Sequence, residues 1–240
     1  RTRKAARRHR DRHQWRDASR YRGADSLATA LLARLEANGF GDSNRTAQVL
    51  DDWVLNRILW GKHVEDTVHA ACRHSLAIRQ RVYGIDAVET AQSLNVFGRL
   101  DSNVGRFAES DSLLRRALAI QEAALGPEHP DLGLTLRNLG NLYSNSGNTT
   151  GARDAYLRAL AIAKRSNPPG ASAIGRLENS LGNAYKALGE FSRARELYEQ
   201  SLVGAEREGS AELARRLYNY GRLLSHLGDL DSATVVFQRV

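Results

Sequence analysis

The 240-residue chain contains no methionine, a single cysteine and no long apolar run. One thiol, Cys72, excludes a disulfide framework, and a transmembrane helix would need about 18 consecutive apolar residues, which the sequence does not have. No apolar leader follows Arg1, so we read the chain as a piece of a longer protein rather than as a secreted precursor. These absences predict a cytoplasmic protein without a transmembrane segment.

The positive charge lies at one end of the chain. Residues 1–23 hold ten basic side chains against Asp11 and Asp17, which accounts for the whole formal charge of +8. The other 217 residues hold 25 basic and 25 acidic side chains. We interpret residues 1–23 as a flexible basic tail or linker. Three alternatives stay open for it: contact with nucleic acid phosphates, contact with an anionic lipid surface, or no partner at all.

The rest of the chain repeats with a period of 42 residues. Shifted by that length, the sequence aligns SLAIRQ at 75–80, ALAIQE at 117–122, ALAIAK at 159–164 and SLVGAE at 201–206. An internal repeat of this length is the signature of a solenoid or a similar array.

Four further columns keep the same register, with one step shortened to 39 residues near the end. They are a first glycine, a second glycine seven residues later, a small residue, and a large apolar residue. The columns are Gly98, Gly140, Gly182 and Gly221; Gly105, Gly147, Gly189 and Gly228; Ser110, Ala152, Ala194 and Ala233; and Leu114, Tyr156, Tyr198 and Phe237.

Each repeat unit is predicted to be a pair of antiparallel helices. Leu136, Leu139 and Tyr143 have the spacing of one buried helix face, and Gly147 suits the left-handed residue that follows a helix end. A glycine inside a helix costs about 1 kcal/mol relative to alanine. We therefore expect the column of Gly140 to permit a close approach between the paired helices. Such hairpins bury their faces by stacking on one another.

This pattern resembles the tetratricopeptide repeat family. The 42-residue period and the loop ALGPEHPD at 124–131 resemble its kinesin-light-chain-like subclass, which also occurs in bacterial regulatory proteins. The resemblance implies an all-α fold, a right-handed superhelical solenoid of antiparallel helix hairpins. The first unit departs from the pattern, because Asn56 replaces the helix glycine and His63 replaces the turn glycine.

We predict a capping helix followed by about four and a half repeats. The capping segment is 24–45, and the array covers 46–240. The units are 46–87, 88–129, 130–171, 172–210 and an incomplete 211–240.

Candidate catalytic groups are few. Cys72 falls in the column of Leu114 and Tyr156, so we expect it to be a buried core residue. His69 shares a helix face with Cys72, but His74 does not, and the second ligand pair of a structural zinc site is missing. Phosphate-binding and hydrolase motifs are absent from the sequence. The sequence therefore predicts a protein that is not an enzyme and that needs no metal or cofactor.

The resemblance implies that the first helix of each unit lines a concave groove. Twenty groove positions on four helices hold six basic residues, six asparagines and no carboxylate. Arginine binds carboxylates or phosphates, and asparagine can pair with an extended peptide backbone; otherwise the face is simply solvated. The predicted peptide-binding residues are Gln92, Asn95, Arg99, Asn103, Arg137, Asn141, Asn145, Arg176, Asn179, Asn183, Lys186, Arg215, Tyr218 and Arg222.

Trp53, Arg57 and Trp60 occupy the equivalent stripe of the first unit. They have two interpretations, namely an anchor for a ligand at one end of the groove, or packing against the helix around residues 26–37. The second is favoured, because Leu27, Leu31 and Leu35 of that helix must be buried somewhere.

These patterns predict a non-catalytic scaffold that binds a partner protein or peptide, and the basic groove residues favour an acidic one. The first alternative is a regulatory or sensor region of a larger bacterial signalling protein or enzyme. The second is contact with nucleic acid or an anionic surface through residues 1–23 alone. The sequence does not define the oligomeric state.

Overall fold

The computed structural model describes most of the chain, and within the described residues every regular element is a helix. The predictions on residues 1–22 and on His63 lie outside this part. The described residues are 23, 25–61, 66–166, 171–203 and 210–239.

The chain forms two compact units, one ending at Ile120 and the other beginning at Gln121. The helices of the first are α1 (25–37), α2 (Asn44–Trp60), α3 (Asp66–Tyr83), α4 (Val88–Asn103) and most of α5 (Phe107–Leu125). The second contains the end of α5, then α6 (Leu132–Asn145), α7 (Thr149–Arg165), α8 (Ala171–Ala187), α9 (Phe191–Leu202), α10 (Ser210–His226) and α11 (Leu230–Gln238). Consecutive helices pack as hairpins, so the predicted all-α array of helix pairs is confirmed.

Short turns join the two helices of a hairpin. Gly147 follows α6 with a φ of 81°, a left-handed conformation that L side chains rarely adopt. Asn148 then caps α7, because its side-chain oxygen accepts a hydrogen bond from the Gly151 amide at 3.0 Å. Gly105, Gly189 and Gly228 repeat the left-handed turn, as the sequence predicts. In the first unit Gly61 takes that role directly after α2, two residues before His63.

The first glycine column allows the two helices of a hairpin to approach each other. A Cβ atom built on Gly140 would lie 2.5 Å from Cδ1 of Tyr156, and one built on Gly182 would lie 2.9 Å from Cε1 of Tyr198. Gly98 faces Leu114 in the same way. The predicted close approach is therefore confirmed, and the structure adds that the side chain facing each glycine is the large residue of the fourth column.

The core of the first unit includes the only cysteine. Cys72 lies in one buried cluster with Val54, Val68 and Leu100, which confirms its predicted packing role. Leu35 of α1 is buried as expected, whereas Leu27 is 70% exposed. The N-terminal turn of α1 therefore contributes little apolar burial.

A buried ion pair lies beside this core and was not predicted from the sequence. The guanidinium of Arg79, on α3, donates to the carboxylate of Asp51 on α2. It also donates to Oγ of Ser93 on α4, at 2.7 Å. Ser75 also donates to Asp51, at 2.5 Å. The Arg79 side chain is 1% exposed. Together with Ser93, the pair joins three helices. The hydrogen bonds of the two charged groups offset the cost of removing them from water.

A second buried guanidinium lies in the second unit. Arg216, on α10, donates to the carbonyl of Ser201 at the end of α9 and to Glu212 at 3.2 Å. A Cβ atom built on Gly175 of α8 would fall against this guanidinium. Gly175 therefore provides the space that Arg216 occupies between the helices.

Candidate peptide-binding surface

The predicted groove residues of α6, α8 and α10 all belong to the second unit. We call them together the first-helix surface, because each comes from the first helix of a hairpin. Its members are Arg137, Asn141, Asn145, Arg176, Asn183, Lys186, Arg215, Tyr218 and Arg222.

Two asparagines of this surface are held by tyrosines. The hydroxyl of Tyr156, on α7, donates to Oδ1 of Asn141 at 2.7 Å. The hydroxyl of Tyr198, on α9, donates to Oδ1 of Asn183 at 2.6 Å. In each hairpin the amide oxygen is thus occupied from within the protein, and the amide NH₂ group is left to donate elsewhere.

The prediction that Asn95 and Asn179 face a groove is wrong. Asn95 is 3% exposed and Asn179 is 1% exposed. Oδ1 of Asn179 accepts a hydrogen bond from Asn219 of α10 at 3.1 Å. Asn179 therefore uses its amide oxygen in a buried contact between α8 and α10, inside the array.

Lys186, on α8, and Arg222, on α10, are two cations close enough for one charge to affect the other. No carboxylate among the described residues pairs with either of them. Burial and the charge of Arg222 together lower the pKa of Lys186. Unbalanced like charges in a partly desolvated place favour the binding of an anion, because an anion relieves their repulsion.

The arginines on the second helices of this unit are neutralised. Each of them lies against a carboxylate, so none needs an external anion. The pairs are Arg153–Asp154 at 2.8 Å, Arg158–Glu122 at 2.5 Å, Arg193–Glu190 at 2.6 Å, Arg195–Glu199 at 3.1 Å, and Arg165–Glu128. Arg215, on the first-helix surface, is similarly paired with Glu212 at 2.6 Å.

An exposed aromatic side chain adjoins the Lys186–Arg222 pair. Tyr218 is 51% exposed, and the guanidinium carbon of Arg222 lies 5.8 Å from the centre of its ring. Phe237 of α11 lies 6.2 Å from the same ring. The site therefore combines positive charge with an aromatic surface on which a peptide side chain can pack.

A cleft lies at the other end of the first-helix surface, between α6, α7 and α8. Its volume is about 330 Å³, and its wall is mostly apolar, with Arg137 as the charged residue. The lining residues are Pro130, Gly133, Leu134, Arg137, Ala159, Ala163, Ser166, Ala173 and Leu177.

The predicted groove residues of α4, which belongs to the compact unit ending at Ile120, have different surroundings. Gln92 and Asn103 are exposed, and Asn103 donates to the carbonyl of Arg99 in its own helix at 2.7 Å. Arg99 is half-buried, and burial lowers its pKa.

Trp53, Arg57 and Trp60 contact the start of α1 and one another. The indole NH of Trp53 and the guanidinium of Arg57 both bind Asp25 at the start of α1, with an Arg57 Nε–Asp25 Oδ1 distance of 2.9 Å. The guanidinium carbon of Arg57 also lies 5.8 Å from the Trp60 ring centre. These three side chains are thus engaged with α1 and with one another.

The candidate reactive residues have structural partners. Burial raises the pKa of the Cys72 thiol, which disfavours the nucleophilic thiolate. His69 forms a buried hydrogen bond with Asp101 at 3.0 Å. Over the part of the chain that the structure describes, no three side chains of His, Cys, Asp or Glu are grouped so as to hold a metal ion.

The helix pairs, their glycine contacts and their left-handed turns define a helical hairpin repeat. The tetratricopeptide repeat family model matches residues 102–165 and 174–240, more than half of the chain. The chain belongs to the tetratricopeptide repeat family. Arrays of this family are in general scaffolds for protein–protein interaction.

Solved structures share this fold at low sequence identity. BtubC (BKLC) from P. vanneervenii matches with a TM-score of 0.69 and 17% identity, over 94% of this chain and 89% of that chain. Nearly identical TPR-like repeats of a Podosopora anserina protein described as a kinesin light chain match with a TM-score of 0.59 and 18% identity, over 92% and 93%. These structures support a kinesin-light-chain-like repeat fold. No curated protein matches the sequence.

None of the described helices is both long enough and apolar enough to cross a lipid bilayer.

Proposed function

We propose that this chain is a cytoplasmic scaffold that binds an acidic peptide or an acidic segment of a partner protein on its first-helix surface. The observation that carries this proposal is the contrast in charge pairing within the second unit. Arginines on α7 and α9 have carboxylate partners, whereas Lys186 and Arg222 have none among the described residues.

Asparagine and tyrosine side chains complete the binding surface. Asn141 and Asn183 offer amide NH₂ donors to backbone carbonyls or carboxylates of an extended segment. Tyr218 offers an exposed ring beside Arg222 for an apolar side chain of the same segment. A helix-lined surface of this composition suits a ligand that is extended and negatively charged.

Charge reversal of the cation pair is the test of this function. The full chain and its Lys186→Glu/Arg222→Glu variant are applied to an array of acidic, basic and uncharged peptides of equal length. We expect the wild-type chain to prefer acidic peptides, and we expect the variant to lose about tenfold or more of that binding. The reason is that each charge-assisted hydrogen bond contributes about 1.5–3 kcal/mol.

The matched control changes the same amount of charge on the second helices. The variant Arg153→Glu/Arg195→Glu lowers the formal charge of the chain from +8 to +4, as the test variant also does. It should keep the acidic preference at about 50 mM salt and lose part of it at about 200 mM, as the wild-type chain does. Equal losses in the two variants would show that net charge, and not the first-helix surface, attracts the peptides.

A further inference from the structure

In each repeat unit, the residue that follows the helix glycine (Asn56 in the first unit) varies together with the residue fifteen positions later. Where the second helix supplies a tyrosine, the first helix supplies an asparagine, as in Asn141 with Tyr156 and Asn183 with Tyr198. Where the second helix has no phenol, the first helix has an arginine. Those pairs are Arg57 with Cys72, Arg99 with Leu114 and Arg222 with Phe237. All five units of the sequence obey this rule.

Geometry explains the pairing. The tyrosine ring packs against the helix glycine, so its hydroxyl emerges beside the next residue of the first helix. A buried phenol needs a hydrogen-bond partner, and the asparagine oxygen accepts its proton at 2.6–2.7 Å. Burial raises the pKa of Tyr156 to about 12 and raises that of Tyr198 as well, so both hydroxyls keep their proton at neutral pH. Cysteine, leucine and phenylalanine make no such demand, and in those units the residue fifteen positions earlier is an arginine.

We propose that Tyr156 and Tyr198 are positioning residues for peptide binding, each fixing an asparagine so that its NH₂ group points out of the array as a hydrogen-bond donor. The first-helix surface is then a row of donors, with neutral donors at Asn141 and Asn183 and a charged donor at Arg222. A peptide that presents carbonyl and carboxylate oxygens in succession matches this row. This inference rests on the proposed function and assigns a role to residues of the second helices.

Removal of one phenol hydroxyl tests the inference. With the same peptide array, Tyr198→Phe should weaken the binding of acidic peptides by about threefold to tenfold, because the amide of Asn183 is no longer held in its donor orientation. The slope of binding against salt concentration should stay at the wild-type value, since no charge has changed. Tyr220→Phe is the matched control, because the Tyr220 hydroxyl donates to Glu199 on α9 at 2.5 Å and not to an asparagine of the first-helix surface.

A double-mutant cycle separates positioning from general stability. If Tyr198 acts through Asn183, the Tyr198→Phe/Asn183→Ala variant should bind no more weakly than Asn183→Ala alone. Thermal unfolding of every variant is measured beside binding. A purely structural tyrosine would lower the unfolding temperature in Tyr198→Phe and Tyr220→Phe alike, without a selective loss of acidic peptides.

The two proposals fail in different ways. The positioning role would be overturned if Tyr198→Phe bound acidic peptides as the wild-type chain does, or if the losses in the double variant were additive. In either case Lys186→Glu/Arg222→Glu would still lose the acidic preference, and the proposed function would stand. A wild-type chain without acidic preference, or a charge-reversed variant that keeps it, would overturn the proposed function and this inference together.

Discussion

Gly140→Leu is expected to lower the free energy of unfolding of the second unit by about 3 kcal/mol or more. A Cβ atom at this position would lie within 3 Å of three ring atoms of Tyr156. That ring cannot retreat, because its residue is 3% exposed and its hydroxyl is bonded to Asn141. Overpacking of a full core typically costs about 1–3 kcal/mol, and here the α6–α7 hairpin itself must open to admit the larger side chain.

Gly133 supplies the control within the same helix. No atom lies within 4 Å of a Cβ atom built there. Gly133→Ala should therefore leave the unit as stable as before or stabilise it by up to about 1 kcal/mol, through the higher helix propensity of alanine. Thermal and urea unfolding of both variants measures the difference. Wild-type stability in Gly140→Leu would mean that the helix register is wrong.

Asp51→Ala is expected to destabilise the first unit by about 3–5 kcal/mol. The substitution leaves the buried guanidinium of Arg79 without its carboxylate. Breaking a buried ion pair in this way costs far more than breaking an exposed pair, because the remaining charge is neither paired nor hydrated. Ser75 and Ser93 lose a hydrogen-bond partner at the same time. Urea unfolding followed by circular dichroism gives the free energy change.

Two further variants separate the charge effect from the loss of packing. Asp111→Ala breaks an exposed pair with Arg115 on α5 and should cost no more than about 0.5 kcal/mol. Asp51→Leu/Arg79→Met removes both buried charges and should recover most of the stability lost in Asp51→Ala. If Asp51→Ala is no more destabilised than Asp111→Ala, the Arg79–Asp51 pair does not stabilise the unit.

The sequence was sufficient to predict the helix pairs and their closest contacts. Gly140 and Tyr156 recur in register, and a glycine inside a helix is informative because it is unfavourable without a compensating contact. Turn glycines such as Gly147 are equally informative, since few residues adopt a positive φ. These signals are local or periodic, which is why they can be read from one chain.

Contacts between neighbouring hairpins could not be predicted in the same way. Asn179 has the residue type of a binding position, yet it bonds to Asn219, forty residues away. The Asp51–Arg79 pair likewise joins two helices, and no motif in the sequence indicates that these two residues meet. Contacts of this kind decide which cations have carboxylate partners. The sequence therefore does not distinguish Lys186 and Arg222, which have no carboxylate partner among the described residues, from Arg215, which is paired with Glu212.

The sequence also contains the pairing of asparagine with tyrosine. The spacing of Tyr156 and Tyr198 by itself predicts only a column of large buried residues. Their hydroxyls gave the signal, since a buried phenol requires a polar partner. The choice between asparagine and arginine fifteen residues earlier follows that requirement in every unit.

Acetylation of lysine, measured by mass spectrometry with and without acidic peptides, tests the proposed binding surface most directly. The chain contains four lysines: Lys4, Lys62, Lys164 and Lys186. Burial and the Arg222 charge lower the pKa of Lys186, so a larger fraction of its amine is neutral and reactive. Lys164, on α7, is paired with Glu178 at 3.3 Å and serves as the internal reference.

A pool of acidic peptides should slow the acetylation of Lys186 and leave that of Lys164 unchanged, and a pool of uncharged peptides should affect neither. This result would show that the peptides occupy the space between Lys186 and Arg222. Acetylation of Lys186 at the same rate with and without acidic peptides that bind the chain would contradict the central claim, because it would locate their binding elsewhere.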